Sequence, residues 1–97
     1  MVRLFPKEEI FGLSDQMRRA VVSIPSNIAE GYARKSTKEY LNFLSIANGS
    51  RAELEIQLIL CTRIGYLKDE DTENLMQICE EIGKMLSAMA TKLKNRA

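Results

Sequence analysis

The sequence predicts an all-α protein, an antiparallel helical bundle of the four-helix-bundle type with three main helices. Apolar residues recur at three- and four-residue steps in three long segments, and helix start and stop signals separate those segments. No segment shows the alternating pattern of a strand. The chain has 97 residues, of which 45% are hydrophobic and 28% charged, as is usual for one soluble globular domain. We therefore expect a single domain over residues 1–97, with residues 1–13 as a lead-in segment.

The first helix is predicted over about residues 14–34, with Ser14 as its N-cap. Proline in a helix interior costs roughly 3 kcal/mol, yet the apolar stripe keeps its phase across Pro25. This predicts one kinked helix rather than two helices, with both Ile24 and Ile28 buried. The stripe comprises Leu13, Met17, Ala20, Val21, Ile24, Ile28 and Tyr32.

Asn27 and Glu30 lie beside the predicted kink. Proline has no N–H and leaves the carbonyl of Val21 without its usual donor, so that carbonyl needs another partner. A neighbouring Asn or Ser side chain is one source of a donor, which gives these residues a structural role. Contact with a ligand is the other interpretation.

The second helix is predicted over residues 37–64. Ser36 and Glu39 have the spacing of a capping box, and Gly65 is placed to end the helix in the left-handed conformation. Its second half is apolar nearly all round, which predicts burial on several sides, and Gly49 predicts close approach of another helix. The main stripe comprises Tyr40, Phe43, Leu44, Ala47, Leu54, Leu58 and Cys61.

Arg51 and Glu55 stand four residues apart at the centre of that apolar arc, which predicts a partly buried ion pair. The third helix is predicted over about residues 70–94. Acidic residues at its start and basic residues at its end both suit the helix dipole. Its stripe comprises Leu75, Ile78, Cys79, Ile82, Leu86, Met89 and Leu93.

The residue types argue against an enzyme and against a metal or cofactor site. The chain has no histidine, the commonest general base and metal ligand. Glu53 and Glu55 point about 160° apart on a helix and cannot act on one substrate by themselves. Cys61 and Cys79 fit buried free thiols better than a disulfide or a metal site. With no membrane-length apolar run and no signal peptide, we expect a cytoplasmic protein.

The first half of the chain carries the excess of basic residues. Residues 1–52 hold eight Lys/Arg against five Asp/Glu, whereas residues 53–97 hold six against eight. One interpretation of the basic residues is a solvated face. The other is a phosphate-binding surface that oligomerisation multiplies into a strong field. The candidate residues are Arg18, Arg19, Arg34, Lys35 and Lys38.

Several motifs resemble one family of bacterial four-helix-bundle proteins, which occur as reading frames in intervening sequences of large-subunit ribosomal RNA genes. The motifs are Phe5-Pro-Lys-Glu-Glu, Gly12-Leu, the run Gln16-Met-Arg-Arg-Ala-Val-Val-Ser-Ile-Pro-Ser-Asn-Ile-Ala-Glu-Gly31, and Asn48-Gly-Ser-Arg-Ala-Glu-Leu-Glu55. They include Ser23, Pro25, Asn27, Glu30, Gly31, Ser50, Arg51, Glu53 and Glu55. The family is similar in turn to the accessory variability proteins of diversity-generating retroelements.

The resemblance implies an antiparallel bundle that assembles into a ring, a pentamer, with a non-enzymatic role and nucleic-acid binding as in the retroelement relatives. The family has a helix before the Phe5-Pro6 segment, and only Met1 to Leu4 precede it here. We therefore expect either a truncated start or a three-helix remnant whose apolar groove is covered on assembly. Two functions remain open: a homo-oligomer that binds RNA or DNA phosphates, and a protein-interaction scaffold.

Overall fold

A computed structural model describes the backbone of residues 7–96 and the side-chain surroundings of residues 12–96. Within that range the protein is all-helical, with α1 at Lys7–Tyr32, α2 at Thr37–Arg63 and α3 at Asp69–Arg96, and it contains no strand. Each helix runs antiparallel to the next. Ser23 of α1 meets Ser50 of α2, and Thr62 of α2 meets Thr72 of α3. The predicted all-α class with three helices is confirmed.

The first helix begins seven residues earlier than predicted, so residues 7–13 are helical rather than lead-in. Ser14, the predicted N-cap, lies inside α1. The stronger start signal is Pro6 followed by Glu8 and Glu9, because proline suits the first turn of a helix and acidic residues suit its positive end. Residues 1–6 of the predicted lead-in lie outside the described part of the chain. α1 ends at Tyr32, two residues before the predicted end.

Pro25 lies within one continuous helix, as predicted from the phase of the apolar stripe. Ile24 is buried, with 6% of its surface exposed, and Ile28 is half-buried against the neighbouring helices. The two apolar neighbours of the proline therefore hold this part of α1 against the core. Their burial offsets the cost of the missing backbone hydrogen bond.

α2 begins at its predicted first residue and ends one residue before its predicted end. Ser36 has extended backbone angles, and its hydroxyl accepts a 3.0 Å hydrogen bond from the backbone N–H of Glu39. At the other end Gly65 has a φ of 80°, the left-handed conformation that glycine adopts without steric cost. The backbone N–H of Tyr66 then donates to the carbonyl of Cys61 at 2.8 Å. These two turns set the antiparallel order of the three helices.

The central helix α2 carries the core and contacts both α1 and α3, which pack side by side against the same half of its surface. One buried cluster lies toward the Gly65 turn and the second lies toward the Ser36 turn. α3 starts one residue before its predicted start and ends two residues after its predicted end, which is the ordinary uncertainty of helix ends. The first cluster comprises Ala20, Leu54, Leu58 and Cys79, and the second comprises Leu44, Ala47 and Leu86.

The prediction that the second half of α2 is buried on several sides is wrong for the single chain. Ile56 is 59% exposed, and Ile59 and Leu60 are also exposed. Gly49 is exposed as well, and an added Cβ would meet no atom within 4 Å, so no helix of the same chain approaches it. The periodicity correctly showed an apolar surface, but α1 and α3 together cover only one side of α2.

Candidate functional site

A short hydrogen-bond chain joins α1 to α2 beside Pro25. The side-chain amide of Asn27 donates to the carbonyl of Ser23 at 2.8 Å and to the Ser23 hydroxyl at 2.9 Å. The Ser23 hydroxyl in turn hydrogen bonds to the Ser50 hydroxyl at 2.8 Å. The predicted acceptor is wrong, because Asn27 donates to the carbonyl of Ser23 rather than to that of Val21.

Gly31 allows a close approach between α1 and α2. A Cβ built at this position would lie 2.8 Å from the Tyr40 ring and 2.9 Å from Cβ of Phe43. There is no room for a methyl group at residue 31, because contacts below 3.0 Å are repulsive between carbon atoms. Gly31, the last residue of the motif that begins at Gln16, is therefore a helix-packing residue, like Ser23 and Asn27.

The predicted ion pair between Arg51 and Glu55 is confirmed and partly buried, with 19% and 25% of the two side chains exposed. Arg51 Nε also donates to the Asn48 side-chain carbonyl at 2.9 Å. The guanidinium lies across α3 at Gly83, where a Cβ would come within 2.9 Å of Arg51 Nε. The arginine therefore fixes the packing of α3 on α2, and its charge is already matched.

The carboxylates considered for acid–base chemistry have separate partners. Glu55 pairs with Arg51, whereas Glu53 accepts a 3.3 Å hydrogen bond from the side-chain amide of Gln57. Gln57 was not singled out in the sequence, yet it is buried, and its Oε1 has no partner among the described residues. Glutamine at this position interrupts an apolar stripe, which was the available signal.

Cys61 and Cys79 are free, buried thiols, as predicted. Burial raises the pKa of both thiols, and the nearby Arg51 partly opposes this rise at Cys79. Neither thiol is therefore activated as a nucleophile. Across residues 12–96, no three His, Cys, Asp or Glu side chains are grouped to hold a metal ion. None of the described helices is long and apolar enough to cross a membrane.

The structure divides the five predicted basic residues into two groups. Arg18 and Arg19 lie in the middle of α1, whereas Arg34, Lys35 and Lys38 lie at the Ser36 turn, about 20 Å further along at 1.5 Å per residue. Arg19 pairs with Asp15 at 3.2 Å, and Arg34 pairs with Glu30 at 2.8 Å. Within one chain they do not form a single patch.

Three basic residues that the prediction left out lie near the Ser36 turn. Leu93 packs into the same cluster as Tyr40, and Lys94 lines a shallow depression together with Leu41. The last turns of α3 therefore lie beside the start of α2. Antiparallel topology was the signal that could have located them, because it returns the end of α3 to the α1–α2 turn. The residues are Lys92, Lys94 and Arg96.

An apolar groove of about 580 Å³ runs between α1 and α3, with Leu54 and Leu58 of α2 as its floor. Met85 on its α3 wall is 64% exposed, and Val21 and Ile78 are each about half exposed. Its walls span about three to four helical turns, and among residues 12–96 Arg18 is the one charged residue that lines it. We call this surface the groove.

The exposed apolar residues Ile56, Ile59 and Leu60 form a second surface on α2, which we call the ridge. At 100° per residue these three residues point away from Leu54 and Leu58, which form the floor of the groove. The groove and the ridge are therefore on opposite sides of the helical layer. Exposed apolar surfaces of this kind are typical of protein–protein contact sites.

Comparison with known proteins gives a family that agrees with the helical fold and the motifs. A sequence profile described as 23S rRNA-intervening sequence protein matches residues 1–88. No curated protein matches the chain significantly. The profile match includes all of α1 and α2 and most of α3. On this match, the chain belongs to the 23S rRNA-intervening sequence protein family.

Proposed function

We propose that the protein is a non-enzymatic, cytoplasmic subunit of a homo-oligomer that binds nucleic acid through phosphate contacts. The observation that carries this proposal is the placement of the groove and the ridge on opposite sides of one chain. Each surface exposes apolar side chains to water, and burying them against each other is favourable at about 25 cal/mol per Å².

The ridge of one copy is the proposed occupant of the groove of the next. The groove is open along its length, and its walls of about three to four turns are long enough to receive the single turn of α2 that forms the ridge. A helix seated there completes a four-helix bundle, because it packs against α1 and α3 on the side opposite to α2. Gly49 lies on the outer side of α2 with open space around it, which permits close approach of the neighbouring copy.

Contacts between two different surfaces are heterologous, and such contacts generate a closed ring when the rotation between copies permits it. The resemblance described above favours a ring of five. For a chain of 11.0 kDa, a pentamer has a mass of about 55 kDa.

The assembly is tested with two variants that each remove one surface. The groove variant, Ile78→Glu with Met85→Glu, places charges on the α3 wall of the groove. The ridge variant, Ile56→Glu with Leu60→Glu, places charges on the ridge. Light scattering should find each variant alone as a monomer, because every contact needs both surfaces. An equal mixture should form a dimer, because the intact ridge of the groove variant can occupy the intact groove of the ridge variant. The dimer should grow no further, because its two remaining surfaces are both mutated.

The matched control is Glu80→Gln with Lys84→Gln, two exposed changes on α3 away from both surfaces, which should leave the wild-type mass unchanged. A ridge variant that assembles like the wild type would contradict the heterologous contact. A monomeric wild-type protein would contradict oligomerisation altogether.

Nucleic-acid binding is supported by the exposed basic residues Arg18, Arg19, Arg34, Lys35 and Lys38, which each subunit of an oligomer would repeat. Phosphate contacts do not read bases, so we expect little sequence preference and an affinity that falls steeply with salt. Fluorescence anisotropy with labelled single-stranded and duplex RNA and DNA at 50–200 mM salt measures both properties. Arg34→Glu with Lys35→Glu should weaken binding to every sequence and leave the assembly intact.

The second candidate function is a protein-interaction scaffold that does not bind nucleic acid. It is favoured by the ion pairs of Arg19 with Asp15 and of Arg34 with Glu30, which reduce the charge available for phosphate. An intact oligomer that binds none of the four nucleic-acid probes at 50 mM salt would establish the scaffold role in place of the first candidate.

A further inference from the structure

The fold gathers basic side chains from two distant parts of the sequence at one end of the molecule. The first group follows α1 and begins α2, and the second occupies the last turns of α3. Leu93 holds the end of α3 against the second buried cluster, where it packs with Tyr40. All six side chains are exposed. They are Arg34, Lys35, Lys38, Lys92, Lys94 and Arg96, and we call them the basic end.

The charge at this end differs from that of the rest of the chain. The six basic residues are accompanied by two nearby carboxylates, Glu30 and Glu39, whereas the whole chain has a net charge of only +1. The remaining residues are therefore net acidic. Opposite this end, α3 begins with Asp69, Glu70 and Asp71. The molecule is thus electrically polarised along its 53 Å length.

The basic end also has side-chain order that a mobile basic tail lacks. Arg34 is held by Glu30 and lies over the Phe43 ring, with the guanidinium carbon 5.0 Å from the ring centre. Lys38 shares a shallow depression with Arg34 and Phe43. Lys94 lines another, beside Leu41. Two neighbouring concave surfaces therefore carry cations at their rims.

We infer that the basic end is the surface that binds the phosphate backbone of nucleic acid, and that Lys92, Lys94 and Arg96 contribute to it together with the residues of the Ser36 turn. This inference rests on the proposed nucleic-acid binding and names its surface. Arg18 and Arg19 do not belong to that surface, because they lie in the middle of α1 and Arg19 is paired with Asp15.

The test compares two triple variants that remove the same charge at different places. Lys92→Gln with Lys94→Gln and Arg96→Gln removes the α3 half of the basic end. Arg63→Gln with Lys68→Gln and Lys84→Gln removes three exposed cations elsewhere. Glutamine has nearly the helix propensity of lysine and arginine, so both variants should keep the wild-type helical content and solution mass.

Six phosphate contacts give a slope of log affinity against log salt of about −4 for single strands and about −5 for duplex DNA. The α3 variant should reduce these slopes to about −2 and −3, and it should lower the affinity at least tenfold at 50 mM salt. The control variant should change the affinity less than threefold. Anisotropy with the four RNA and DNA probes supplies the values, and the probe bound most tightly identifies the type of nucleic acid.

If the wild-type protein binds and the α3 variant keeps its affinity and slope, the inference is wrong and the proposed function stands. The inference is also wrong if the control variant loses as much affinity as the α3 variant. If the wild-type oligomer binds no probe, the proposed nucleic-acid binding fails, and with it the inference.

Discussion

The α1–α2 contact and the α2–α3 contact, which we call the two seams of α2, both bring helices close together but do so with different side chains. Each contains one glycine at which a Cβ would come within 3.0 Å of a side chain across the seam: Gly31 against Tyr40 and Phe43, and Gly83 against Arg51. In the α1–α2 seam the opposing atoms belong to aromatic residues, one of them a Cβ fixed to the backbone. In the α2–α3 seam the opposing atoms are the end of a long side chain. The first seam is therefore rigid, whereas the second depends on an ion pair that holds a flexible residue.

The largest effect is expected from Arg51→Ala, which removes the side chain that fills the α2–α3 seam. Glu55 is left partly buried without its partner, and the contact across Gly83 is lost, so we expect unfolding free energy to fall by about 2–3 kcal/mol. Urea unfolding followed by circular dichroism measures this loss. Arg63→Ala, an exposed arginine on the same helix, should change stability by less than about 0.5 kcal/mol. Equal effects of the two variants would show that the seam does not depend on the pair.

Gly31→Ala tests the rigidity of the α1–α2 seam. Alanine favours helix by about 1 kcal/mol over glycine, but the added methyl overlaps Phe43 Cβ, which cannot move without the backbone. We expect a net loss of about 1–2 kcal/mol. Gly12→Ala on the same helix is the matched control, because its Cβ meets nothing within 4 Å, and it should stabilise the protein slightly. If Gly31→Ala stabilises the protein, the α1–α2 seam can adjust to a methyl group and is not more rigid than the α2–α3 seam.

Ser50→Ala removes one hydroxyl from the hydrogen-bond chain of the α1–α2 seam. The Ser23 hydroxyl keeps its 2.9 Å contact with Asn27, so no buried group loses its last partner. We expect a loss of about 0.5–1 kcal/mol in urea unfolding. Ser45→Ala, an exposed serine on the same helix, should have no measurable effect. A loss well above 1 kcal/mol would indicate that the polar contacts, rather than Gly31, fix this seam.

Gly83→Ala should have the smallest effect and change the free energy of unfolding by less than about 0.5 kcal/mol. The end of Arg51 can shift away from the methyl group, and the gain in helix propensity offsets the remaining crowding. The same change made in the Arg51→Ala background should stabilise by about 1 kcal/mol, since nothing then opposes the methyl group. A double-mutant cycle on the two positions isolates this coupling. Additive effects of the two substitutions would show that positions 83 and 51 are not energetically coupled.

Local signals in the sequence were sufficient for much of the fold. Ser36 and Gly65 define the turns because each satisfies backbone groups within a few residues, and the Arg51–Glu55 pair follows from four-residue spacing on one helix. The start of α1 differs from the prediction because Ser14 has the residue type of an N-cap, while the signal at Pro6 lies within the predicted lead-in segment.

Features that depend on the alignment of helices could not be predicted in the same way. Gly83 is explained only once Arg51 of another helix is known to lie across it. From sequence alone Lys92, Lys94 and Arg96 are explained by the helix dipole, because nothing near them in sequence places them beside Lys38. The exposed Ile56 shows a further limit, since periodicity reports an apolar face without saying whether the same chain covers it.

The position of α2 between its two neighbours has a consequence for how the chain folds. Within residues 7–96 the close helix contacts join only α1 with α2 and α2 with α3, which are neighbours in sequence. Low sequence separation makes loop closure inexpensive and folding fast. Each helical hairpin can close from its own turn, one at Ser36 and one at Gly65. We expect α2 to be the shared nucleus of both hairpins, so that substitutions on it slow folding, whereas those on α1 or α3 chiefly speed unfolding.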